Sequence, residues 1–158
     1  MPTRAKLYGP VLDRMYDNCI DQQKLFLSQH AGYGRAFTGD GATILGTKFI
    51  NFLVHEYGKG CMLCKIEDCT NRLREVGSIE STFIAHKMME AIRYVDPHTV
   101  YLVVIDGGAD WVAAKDMVQQ KYPWIHFIHC VAHEGSLILK DICRIDEVCS
   151  CNAIMLLQ

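Results

Sequence analysis

The run "TVYLVVID" (99–106) constrains the fold more than any other stretch of the chain. It is apolar at nearly every position rather than at alternate ones. As a strand it therefore needs cover on both faces, which an α/β sheet supplies and a half-solvated meander does not. The run climbs to a single carboxylate, Asp106, and the two glycines and second acid of "GGAD" (107–110) follow at once. Three readings of this strand end stay open: a backbone cradle for phosphate, a metal ligand, and ordinary turn chemistry.

The remaining periodicities fill in the sheet and its helices. Val11, Leu12, Met15, Tyr16, Cys19, Ile20, Phe26 and Leu27 recur at helical spacing, predicting one long amphipathic helix over 8–30 that ends at the glycines of "AGYGR". "RAFTGD" (35–40) reads as a short strand, and "TKFINFLVHEY" (47–57) and "CMLCKIEDC" (61–69) as a hairpin about "GKG". A helix over 79–95 carries Ile79, Phe83, Ile84, Met88, Ala91, Ile92 and Val95 on one face, and "DPH" ends it. After the apolar strand come a helix over 111–122 with Asp110 as its expected N-cap, a strand over 123–129 and a helix over 131–145. The fold class is thus α/β: a mixed five-stranded sheet, made of a three-strand meander and two strands reached through helices, with an extra N-terminal helix. If the helix over 79–95 crosses over, the fourth strand lies parallel to the first, and Asp40 and Asp106 come to the same sheet edge.

At 158 residues the chain suits a single domain, expected over 1–150, with 151–158 as a tail. A net charge of −2 argues against tight DNA binding by this segment alone, since such binders carry a basic face. No apolar run approaches the roughly 18–20 residues that span a bilayer, and "MPTRAKLYGP" has no signal-peptide core, so no membrane partner and an intracellular setting are expected. The eight cysteines fit reduced thiols, several at core-like positions.

Two aspartates placed as Asp40 and Asp106 can share a hard divalent cation such as Mg²⁺ or Mn²⁺; they can equally be two turn acids. "DGGAD" has neither of the common phosphate-loop spacings, and a tight turn explains its glycines as well. "HFIHCVAHE" offers His126, His129, Cys130 and His133. Zinc is not expected there, because a second paired ligand set is lacking; Cys61 and Cys64, three apart on a strand, point to opposite faces. Cys130 and His133 are instead expected to close the strand–helix junction. Glu134 reads as an acid in the first turn of a helix, where the dipole favours it. The mixed charges of "KIEDCTNRLR" (65–74) read as a solvated loop.

Four stretches in order, "PTRAKLYGPVLDRMYD", "TGDGATILGTKFINFLV", "VVIDGGADWVAAKDMVQQKYPWIHFIHCVAH" and "SLILKDI", resemble the hAT superfamily of cut-and-paste DNA transposases. The similarity is to the uncharacterised domain of hAT-like proteins and covers about residues 2–142. It implies a ribonuclease H-like fold, agreeing with the element order above. It also implies that Asp40, in "DGAT", and Asp106, in "IDGGAD", correspond to the first two metal-binding acids, with Mg or Mn as cofactor. Cys130 and His133 match the family's CxxH motif. Ala42 stands where the family usually has Trp, and Gly107 and Asp110 stand where it has Asn.

The family's third acid is a Glu far downstream, and the sequence reaches Gln158 without a counterpart. Glu134 is only a weak candidate to replace it, since it aligns with a position that is often Cys. The resemblance therefore implies part of a transposase catalytic core, inactive alone. It implies DNA as the partner of the ancestral protein, weakly bound or not bound here, and a nuclear location. A domesticated interaction module with a protein partner or homo-oligomer, or a piece of an active transposase, are the alternatives.

Overall fold

The computed structural model describes residues 7–29 and 32–144. The expected tail over 151–158 lies outside the described residues. After an irregular turn over Leu7–Val11, helix α1 runs over Leu12–Ser28. Three strands follow: β1 (Arg35–Ile44), β2 (Thr47–Glu56) and β3 (Gly60–Asp68). Then come α2 (Thr70–Val76), α3 (Ser81–Val95), β4 (Val100–Ile105), α4 (Ala109–Lys121), β5 (His126–His129) and α5 (Val131–Ile142).

The strands form one sheet in the order β3-β2-β1-β4-β5. β1, β2 and β3 pair antiparallel, whereas β4 lies parallel to both β1 and β5. This is the α/β arrangement expected, a mixed five-stranded sheet made of a three-strand meander and two strands reached through helices, with α3 as the crossover that brings β4 beside β1.

β1 extends past the expected 35–40. "GDGAT" has turn-like composition, yet it pairs with β2 all the way to Ile44↔Thr47. The hairpin then turns on two residues, Leu45 and Gly46, with φ of +50° and +81°. Such a turn matches the twist of the flanking strands and holds them in register to their ends. Asp40 accordingly sits within a strand, opposite Asn51, rather than at a strand's end.

The core lies on one side of the sheet, so the cover on both faces expected of the strand over 99–106 is not found among the described residues: Tyr101 is exposed and Leu102 and Val104 are half-buried. Phe37, Ile50, Phe52, Val54, Val103 and Ile105 point into the core and meet Ile84, Met88, Ile92 and Val95 of α3 and Trp111, Ala114 and Val118 of α4. The alternation expected of a strand follows: Arg35, Phe37 and Gly39 are buried, Ala36 and Thr38 half-buried, and Asp40 exposed. α1 is the long helix expected, but only its C-terminal part reaches the body. Gln23 Nε2 donates to the carbonyls of Leu63 and Cys64, and Phe26 and Leu27 pack against the core. Val11, Leu12, Met15 and Tyr16 remain exposed.

Two local readings are corrected. Residues 70–76 form α2 rather than a loop, because Thr70 N–H and Oγ1 both bond to Asp68 Oδ1 and start a helix that Gly77 ends at φ +81°. The N-cap of α4 is Gly108, and Asp110 sits in the first turn. Trp111 is nearly buried, while Trp124 covers the rim by stacking on His98.

Candidate functional site

Parallel pairing of β1 and β4 fixes the position of the two acids. The last registered pair is Gly39↔Ile105, so Asp40 and Asp106 are the next residues on adjacent central strands. Asp40 is exposed, and the Asp106 side chain is 22% exposed.

Asp106 is held from two directions. Its Oδ1 accepts from Gly108 N–H at 3.0 Å, closing the turn, and lies 3.0 Å from His133 Nε2. The second contact follows from how α5 begins. Cys130 N–H donates to Ile105 O at 2.8 Å, extending the β4–β5 ladder by one bond, and the helix starts there with Cys130 as N-cap. One helical turn later the chain is back over the strand edge, at His133. Cys130 thus meets the end of β4 at this strand–helix junction through its backbone N–H.

Glu134 lies against the same turn. Its Oε1 is 3.7 Å from His129 Nδ1, and a Cβ built on Gly107 would come within 2.6 Å of that oxygen. The crowding at position 107 thus comes from a neighbouring side-chain carboxylate. Gly39 is crowded in the same way by the Trp111 ring, at 2.7 Å. Beyond Trp111 opens a cavity of about 410 Å³ lined by Gly41, Ala42, Lys48, Phe49 and Asp110 among others.

Among the described residues no group of three or more His, Cys, Asp or Glu side chains is placed to hold one ion. The donor pair Asp40 and Asp106 still fits Mg²⁺ or Mn²⁺ in kind, because such ions are commonly bound by one or two carboxylates with water completing the shell. Glu134 is near Asp106 but engaged with His129. Cys61 is exposed and Cys64 buried, so the two do not face one site.

A family model described as "Domain of unknown function (DUF659)" matches residues 2–154. The chain belongs to that family. No curated protein matches the sequence. Among solved structures, the DUF659 chain is similar to the catalytic core domain of BIV integrase, at 14% identity and a TM-score of 0.43, over 61% of this chain and 54% of that one. It is also similar to a chain of the simian T-cell lymphotropic virus intasome in complex with PP2A regulatory subunit B56 gamma, at 10% identity and a TM-score of 0.42. That second match covers 67% of this chain and 36% of the other, so the DUF659 chain spans about half and about a third of the chains it matches.

Proposed function

We propose that this chain descends from the catalytic core of a hAT-type cut-and-paste DNA transposase. It carries the first two acids of the metal site and does not cut DNA by itself. The observation that supports this most is the parallel register of β1 and β4, which makes Asp40 and Asp106 neighbours at one sheet edge. Asp40 and Asp106 would hold Mg²⁺ or Mn²⁺; when bound, such an ion supplies Lewis-acid stabilisation and an activated water for phosphodiester cleavage. The turn at Gly107 and Gly108 fixes the Asp106 carboxylate, and Trp111 braces β1 from the core side.

Inactivity in isolation rests on the donor count: among the described residues no third carboxylate joins the pair. The net charge of −2 likewise favours weak DNA binding, with DNA the partner of an ancestral, nuclear protein. The test is a plasmid-nicking assay of the 158-residue chain in Mg²⁺ and Mn²⁺, with Mn²⁺ titration alongside. The expected result is Mn²⁺ binding lost in Asp106→Asn, without cleavage above the buffer rate. Strong cleavage abolished by Asp106→Ala would overturn the inactive reading.

A second reading, an interaction module that binds a protein partner or its own copy, is favoured by the exposed apolar residues of α5. Val131, Ile138 and Leu139 are exposed, and none of the helix is buried. Light scattering that shows only monomer up to high micromolar concentration would count against self-association.

A further inference from the structure

We propose that His133 is a positioning residue for Asp106, holding its carboxylate through Oδ1 so that Oδ2 is the oxygen offered to a divalent ion. The inference rests on the reading of Asp40 and Asp106 as an ion-binding pair, and it adds a residue which that reading does not require.

Among the described residues, the close polar contacts of the Asp106 carboxylate are both made by Oδ1, with Gly108 N–H and His133 Nε2, each at 3.0 Å. A carboxylate gripped at one oxygen from two directions cannot swing freely about its last torsion. The other oxygen is left for a ligand. Groups that bind ligating carboxylates from behind in this way set their orientation, and removing one typically weakens metal binding about 10–100-fold.

The placement is built into the backbone. Cys130 N–H on Ile105 O fixes where α5 starts, one residue short of Asp106 on the neighbouring strand. His133 follows one turn on, and Glu134 beside Gly107 flanks the turn from the other side. The His133 side chain is 38% exposed, so it contributes little to the core, and its loss should leave the fold intact.

The experiment is Mn²⁺ titration of the 158-residue chain followed by electron paramagnetic resonance, with melting temperatures taken without metal. The variants are His133→Ala, His133→Leu, which keeps bulk without ring nitrogens, His133→Gln, which restores a donor, and Asp106→Asn. Ala and Leu are each expected to weaken Mn²⁺ binding by about 10–100-fold at unchanged metal-free melting, with Gln recovering part of the loss. If the Ala variant fails to fold, the Leu and Gln pair decides. Wild-type affinity in the Ala or Leu variant overturns the positioning role alone. Absence of Mn²⁺ binding by the wild type overturns the acid-pair reading, and the positioning role falls with it.

Discussion

Arg35 and Glu56 face each other across the β1–β2 ladder as an ion pair sealed inside the protein, Nε to Oε2 at 2.9 Å, with side chains 2% and 0% exposed. Arg35 also donates to Val95 O, Thr99 Oγ1 and Leu27 O. One guanidinium therefore ties the first strand to the ends of α1 and α3 at the sheet edge opposite the acids. Removing Arg35 takes away the buried partner of Glu56 Oε2 and leaves Lys59, 2.9 Å from Oε1, a loss of up to about 3–5 kcal/mol. Arg35→Ala is expected to lower stability by that amount in urea titrations and to release α1, seen as faster amide exchange over Phe26 and Leu27. A urea midpoint near that of the wild type would show that the pair is not what joins these elements.

Leu45 is fully exposed and held at φ +50°, a left-handed conformation that costs an L-residue roughly 1–2 kcal/mol. Its side chain gains no burial in return. Asn tolerates this conformation and, ahead of Gly46, gives the preferred two-residue hairpin turn. Leu45→Asn is expected to stabilise the protein by about 1 kcal/mol. A rise of several degrees in melting temperature checks it, and a fall would mean that the turn adopts another form in solution.

These two positions also mark what the sequence could and could not disclose. α3 was legible because burial on one helical stripe leaves a direct imprint on residue choice, and β4 because its run is rich in β-branched apolar residues, although only Val100, Val103 and Ile105 of it are buried. β1 beyond Asp40 was not legible, since its glycines look like a turn and its strand character comes from partners on β2. α2 escaped for a similar reason: seven residues of mixed charge bury little, and a local Asp68–Thr70 cap starts the helix. The acid pair was legible as residue types and, through the crossover of the helix over 79–95, as residues of adjacent strands; only the register, with Gly39 opposite Ile105, had to come from the structure. The His133 contact was visible only as a spacing from Cys130; its partner lies 27 residues back, just past the end of β4.

Cys64 is buried, and desolvation pushes its thiol pKa up to about 12, against a slight lowering by Lys65. The unfolded chain ionises this thiol near the ordinary value of 9.0, whereas the folded protein keeps it protonated. Above that ordinary value the unfolded state binds fewer protons. Stability due to this group is therefore intact below pH 9 and falls between about pH 9 and 12, by roughly 1.4 kcal/mol per pH unit. Cys64→Ala is expected to flatten this alkaline decline, read as urea midpoints from pH 8 to 10.5. At pH 8, exposed Cys19, Cys61 and Cys143 should alkylate in the native state, with Cys64 and Cys69 protected until unfolding. Equal alkylation of Cys61 and Cys64 would contradict the burial.

Gly39 and Gly107 would each bring a methyl group into close contact, at 2.7 Å and 2.6 Å, yet substitution should act differently at the two. At Gly39 the obstacle is the Trp111 ring, which is nearly buried and packed edge-on against Phe52, so the ring cannot yield without opening the core. Gly39→Ala is expected to cost about 1–3 kcal/mol, as overpacking does, and to shift Trp111 fluorescence in a Trp124→Phe background. At Gly107 the obstacle is the tip of Glu134, whose carboxylate can rotate outward and give up His129. Gly107→Ala should therefore cost under ~1 kcal/mol, since an exposed ion pair is worth little. The double variant Gly107→Ala, Glu134→Ala should show no further clash. A larger loss at Gly107 than at Gly39 would mean that the turn beside Asp106, rather than the Trp111 brace, is the rigid part of the site.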